Sequence, residues 1–230
     1  MSPFWLIGFL LLCVGGVALF NILPHQWFLD YGESPGEQKR RKLPFVLTSL
    51  IFCAVMTCAW LAARIYLSGA AGLLMLLLVW LCMMVSASDL LYHILPDQFI
   101  LGIGCVGVLF IITDLSRFPG SLLGCVIGGG FLLLIGLLGK LVYKAEAMGF
   151  GDVKLMAALG LICGFPGILF ALIIALLSGA VAAVPLLARK GSGRRYLPFA
   201  PCLCLGAVSS VIFAQPLSGL LGWYLSLFAS

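Results

Sequence analysis

Charge is what this sequence has least of. Lys and Arg contribute 13 residues and Asp and Glu 8, together 9% of a 230-residue chain. A soluble domain of this length must cover itself with charged side chains, and so few cannot do it, which excludes a water-soluble enzyme. The net charge of +5 is split into short runs between apolar stretches. No continuous basic face results, so nucleic acid is excluded as a partner. Histidine is nearly absent, with two copies, and the nine cysteines include no CxxC pair and no His neighbour. They offer no zinc site, and no metal is expected. Lying almost throughout inside apolar runs, they read as small packing residues rather than as a disulfide framework.

What the chain has instead is apolar length: 63% of its residues are hydrophobic and its mean hydropathy is +1.21. That is the composition of a polytopic membrane protein. The spacing of the charged clusters predicts an all-α transmembrane bundle of about eight spans, near 4–23, 44–63, 70–88, 98–113, 121–139, 155–165, 168–188 and 199–215. Gly164-Phe165-Pro166-Gly167 reads as a tight turn joining the sixth and seventh. Pro216 to Ser230 is apolar, with Trp223 and Tyr224 suited to an interface. The first span has no basic segment before it and reads as retained rather than as a cleaved signal. Alternating sides puts Lys39, Arg40, Arg41, Lys42, Lys140, Lys144, Lys154, Arg189, Lys190, Arg194 and Arg195 on one side, against Arg64 and Arg117 on the other. Eleven against two makes the first side cytoplasmic and places the N-terminus outside. The chain divides into 1–43, a first span with a short basic loop, and a membrane core, 44–230.

Most of the acidic residues need no special account. Asp30, Glu33, Glu37, Asp114 and Glu146 fall among polar or charged neighbours and read as solvated loop charges. Asp89, Asp97 and Asp152 each abut a long apolar run at the expected cytoplasmic end of a span, where ionised carboxylates are expensive and usually functional. Asp97 follows Pro96 and suits the first turn of a helix. Asp89 is expected at a helix C-terminus, where the dipole disfavours negative charge. Asp152 stands in Gly149-Phe150-Gly151-Asp152-Val153-Lys154. Gly149 and Gly151 permit positive φ and close approach by an extended peptide; the same residues also fit a turn and helix cap. Two carboxylates within reach of one water share a proton, so one acts as general base on the water and the other protonates the scissile carbonyl and the leaving amine. Aspartyl-protease chemistry of this kind needs no metal. A proton-coupled transporter relaying through the same aspartates is the rival of a different class, although the charges are not at mid-span and no inverted repeat is visible.

Three stretches carry a family resemblance. Ser88-Asp89-Leu-Leu-Tyr-His-Ile-Leu95-Pro96-Asp97, Gly149-Phe-Gly-Asp152-Val-Lys154-Leu-Met-Ala-Ala-Leu-Gly160 with Gly164 beyond it, and Leu197-Pro198-Phe199-Ala200-Pro201 leading to Gly206 together resemble the type IV prepilin peptidases, the GxGD-type integral membrane aspartyl proteases. The resemblance runs from roughly residue 70 to 210. It implies a multi-pass protein of the bacterial inner membrane, with roles in type IV pilus and type II secretion systems. It implies cleavage of a short basic leader from prepilins or pseudopilins at the cytoplasmic face, with Asp89 and Asp152 catalytic. Asp97, Gly149, Gly151, Lys154, Pro198 and Phe199 fall to substrate binding or support.

The chain departs from the family pattern in two places. Ala200 stands where the family has glycine, a change expected to touch no catalytic group. Longer members also N-methylate the new terminus with S-adenosylmethionine and carry two CxxC pairs between the first two spans. Here that interval, His25 to Leu43, has no cysteine. The resemblance thus implies peptidase activity without a cofactor, and S-adenosylmethionine only where methyl transfer is retained. Beyond the family residues, Lys154 reads on its own as a snorkelling lysine, and His93 as loop-exposed. Membrane lipid is the remaining partner, its anionic headgroups or Glu146 offsetting the basic enzyme face.

Overall fold

A computed structural model of the chain describes residues 45–66, 70–143, 149–188 and 197–214. The expected first span, the apolar tail, and the loops holding Lys144, Glu146 and Arg189 to Arg195 lie outside the described residues. Those described are helical, with no strand among them. Apolar runs that must satisfy their own backbone groups leave helix as the available structure. The helices are α1 (Phe45–Tyr66), α2 (Ala70–Tyr92), α3 (Asp97–Thr113), α4 (Phe118–Tyr143), α5 (Phe150–Ala188) and α6 (Ala200–Ile212).

Among the described residues, three apolar stretches are long enough to cross a membrane: Ala70–Tyr92, Leu115–Val142 and Phe150–Val184. Leu101, Ile112, Val126, Leu177 and Val181 project outward from these and neighbouring helices, each at least 64% exposed. Such outward apolar cover is stable only against an apolar solvent. The chain is a membrane protein, and its charge scarcity reports the lipid around it.

Breaks between helices follow local chemistry. Pro96 caps α3 in extended conformation. Asp114 closes the turn before α4, accepting hydrogen bonds from Ser116 N–H and Oγ at 3.1 and 2.6 Å; these hold its carboxyl below the usual carboxylate range. At Gly164 the backbone turns to φ 62°, Phe165 is extended, and α5 resumes at Pro166. The expected turn is thus present: Gly164 and Phe165 separate two helical halves of α5, 150–163 and 166–188, which fold back so that Met156 and Ile168 both face Gly128 of α4, and the left-handed conformation at the turn is one that glycine adopts without strain.

The core is organised by α5, which packs along α4, α6 and α3, while α2 bridges α3, α6 and α1. Met75, Leu76 and Leu78 from α2, Ile103 from α3, Leu155, Met156, Leu159 and Ile168 from α5, and Leu203 from α6 are fully enclosed. α4 and α5 approach most closely at a pair of glycines. A Cβ at Gly124 would run into the Gly160 carbonyl, and one at Gly160 into the Gly124 carbonyl. Backbone-to-backbone contact of this kind is how membrane helices gain packing without a hydrophobic drive between them.

Candidate active site

α2 runs one turn further than its apolar stretch, so Asp89 lies inside its last turn rather than at its end. The side chain is buried at 7% exposure. Burial of a carboxylate requires a partner, and α6 supplies it. Asp89 Oδ2 accepts the Ala200 backbone N–H at 2.9 Å, and the Phe199 N–H also faces the carboxylate. These are first-turn amides of α6, which has Phe199 at its cap and Pro201 just inside. Such N–H groups have no helical partner and carry the positive end of the dipole. The expectation that Asp89 sits against its local electrostatics is therefore corrected: the C-terminus of α2 disfavours it, and the N-terminus of α6 accepts it. The expectation that position 200 touches no candidate catalytic group is corrected as well. A backbone amide donates whatever the side chain, which is why the glycine-to-alanine departure leaves the bond in place.

Asp152 occupies the first turn of α5, its N–H donating to the Gly149 carbonyl at 3.2 Å. It is half-buried, and its Oδ1 is enclosed with no hydrogen-bond partner among the described residues. Asp89 is its charge neighbour. Residues far apart in sequence thus meet where α2 ends and α5 and α6 begin.

The expectation of positive φ at Gly149 and Gly151 is corrected. Among the described glycines, positive φ occurs at Gly164 alone. Gly151 is helical, and what it allows is close approach: a Cβ there would meet Leu95 Cδ1 at 2.9 Å. Asp97, in the first turn of α3, is paired with a lysine of α5. Both its oxygens accept from Lys154 Nζ at 3.0 Å, and the ammonium also lies 5.4 Å from the Phe150 ring centre. With the two side chains 63% and 42% exposed, the pair contributes at most about 1 kcal/mol. Phe199 packs its ring on α5, its Cε2 3.0 Å from where a Gly179 Cβ would stand, and Pro198 precedes it, half-buried. His93 is exposed, as expected of a loop residue, and stands at φ 54°.

Sequence reasoning passed over two contributors. Ser88 is fully buried and donates its hydroxyl to the Ile94 carbonyl at 2.8 Å, and Leu95 seats itself on Gly151. The signal for Ser88 is a small polar residue in an apolar run beside a carboxylate, which also fits simple packing.

Comparison with known proteins bears on the same corner. The family model described as the type IV leader peptidase family matches residues 75–184, an interval containing both aspartates. A prepilin leader peptidase/N-methyltransferase of Aeromonas hydrophila is 34% identical over 221 residues, covering 92% of this chain and 71% of the relative. The chain belongs to the type IV leader peptidase family. A protein of the same name from Xanthomonas campestris pv. campestris is 32% identical over 190 residues, 80% of this chain and 64% of its own. A type 4 prepilin-like proteins leader peptide-processing enzyme of Escherichia coli O78:H11 is 33% identical over 177 residues, 75% of this chain and 61% of that one. No solved structure matches the chain. Within this leader peptidase, Asp89, Asp97, Gly149, Gly151, Asp152 and Lys154 all fall in the matched interval; Pro198 and Phe199 lie beyond it.

Proposed function

We infer that this chain is a membrane aspartyl endopeptidase that removes the leader from type IV prepilins or pseudopilins, with Asp89 and Asp152 as its catalytic pair. The observation that carries the reading is the convergence of the helix ends that bear these two carboxylates: Asp89 takes the first amide of α6, and Leu95, just beyond it, seats on Gly151 next to Asp152. Asp89 accepts an amide hydrogen bond, which suits the ionised partner and general base. Asp152 then carries the shared proton. The base takes a proton from water as the water oxygen attacks the scissile carbonyl carbon, and Asp152 protonates the carbonyl oxygen. When the tetrahedral species collapses, the carbon–nitrogen bond breaks and the amine leaves with a proton from the pair. Coexpression with a candidate prepilin tests this directly: cleavage appears as a small downward shift on a gel, and its absence across the prepilins of the same genome would sink the reading.

Asp97 acts in support, through Lys154 beside Asp152. Asp97→Asn should lower the cleavage rate several-fold without ending it, since an exposed pair of this kind is worth about 1 kcal/mol at most. Complete loss would promote Asp97 into the catalytic pair.

The core, 44–230, lies in the bacterial inner membrane, with about eight spans and the N-terminus outside, and it cuts at the cytoplasmic face. Support comes from the asymmetry of eleven basic residues against two. Cysteine labelling should find positions 41, 144 and 194 cytoplasmic and 117 external. Positions 41 and 144 on opposite sides would be incompatible with this arrangement. The proposal covers peptidase activity. S-adenosylmethionine enters only with methyl transfer, for which His25 to Leu43 carries no cysteine-rich segment.

A further inference from the structure

The turn from Tyr92 to Pro96 is tied down at successive points, and the ties lead from one aspartate to the other. His93 N–H donates to the Asp89 carbonyl at 2.9 Å. Ser88, adjacent to Asp89 and fully buried, donates to the Ile94 carbonyl at 2.8 Å. Leu95 follows and lies on Gly151, with no room for a Cβ between them. Gly151 precedes Asp152. A buried helical serine ordinarily returns its proton to a carbonyl three or four residues back on its own helix. Here it reaches six residues forward across the turn instead, so the bond fixes the turn to the end of α2.

We propose that Ser88 is a positioning residue for the catalytic pair: by holding Ile94, its hydroxyl sets where Leu95 meets Gly151 and thereby sets the separation of Asp89 from Asp152. The proposal rests on the reading of those two aspartates as the pair. Two carboxylates must sit within reach of one water, and displacement by about 1 Å in such a site lowers turnover on the order of a hundredfold. Ser88 is fully buried with its hydroxyl spent on the Ile94 carbonyl, so its loss acts on turnover rather than on binding.

The test uses the full chain in detergent, with the prepilin cleaved in the coexpression panel as substrate and rates normalised to folded enzyme. Ser88→Ala should lower kcat roughly tenfold to a hundredfold and leave KM within about twofold. Ser88→Cys, which keeps the volume but donates weakly, should be impaired in the same way and remains readable if the alanine variant folds poorly. Leu95→Ala should also lower kcat, and the double variant Ser88→Ala/Leu95→Ala should be no slower than its slower single, because both act through one turn. Wild-type kcat in Ser88→Cys, a rise confined to KM, or losses that multiply in the double variant would each overturn the proposal. Asp89→Asn and Asp152→Asn are run alongside. Cleavage by either at the wild-type rate brings down the catalytic pair itself, whereas two inactive Asn variants beside a fully active Ser88→Cys bring down the positioning role alone.

Discussion

Asn at position 89 or at position 152 should end prepilin cleavage while leaving the protein folded in the membrane. Asn preserves the size and polarity of Asp, so the Ala200 N–H keeps an oxygen acceptor at position 89, and what is lost is the capacity to take up and return a proton. General acid–base groups contribute about a hundredfold to ten-thousandfold each, and a shared proton makes the two contributions one. Each single variant should therefore fall at least about a thousandfold, and the double variant should fall no further, as expected of groups acting as a unit. Binding should survive, with uncut prepilin copurifying with either variant. Normal turnover in Asp89→Asn, combined with an inactive Asp97→Asn, would move the first carboxylate eight residues along the chain and break the pairing with Asp152.

The second large effect falls on folding rather than chemistry. Gly160→Leu puts a branched side chain where the Gly124 carbonyl already lies. No rotamer avoids this, because the Cβ itself is what collides, so α4 must move off α5. Overpacking a close interface costs about 1–3 kcal/mol where the neighbours can shift, and backbone yields less than side chains do. The extraction yield of folded enzyme and its thermal midpoint should both drop sharply, and Gly124→Leu should reproduce the effect from the other side. Gly130→Leu is the control: it lies on the same helix with nothing within 4 Å of its Cβ position, and it should behave as wild type. If Gly160→Leu matched Gly130→Leu in yield and midpoint, the close α4–α5 packing would be wrong.

Those two outcomes also mark how far the sequence can be read. Helix placement was legible because apolar length and flanking charge are one-dimensional signals: 44–63, 70–88, 98–113, 121–139 and 199–215 each correspond to a helix, and 155–165 and 168–188 to the two helical halves of α5, with ends shifted by a few residues. Where the ends moved, the chemistry moved with them. The extra turn on α2 places Asp89 within the helix, and the early start of α5 at Phe150 makes Gly151 helical, so its missing side chain admits Leu95.

By itself, the sequence determined that this is an all-helical membrane protein with three aspartates in unusual settings, because charge scarcity, apolar run length and motif spacing depend only on order along the chain. Tertiary structure alone decided what each of those aspartates touches. That the α6 amides meet Asp89, that Lys154 is taken by Asp97, and that Ser88 reaches forward to Ile94 all depend on which helix ends converge. The physical reason is that a backbone N–H has no residue identity: any sequence provides one, and only the packing of α6 against α2 aims it at a carboxylate.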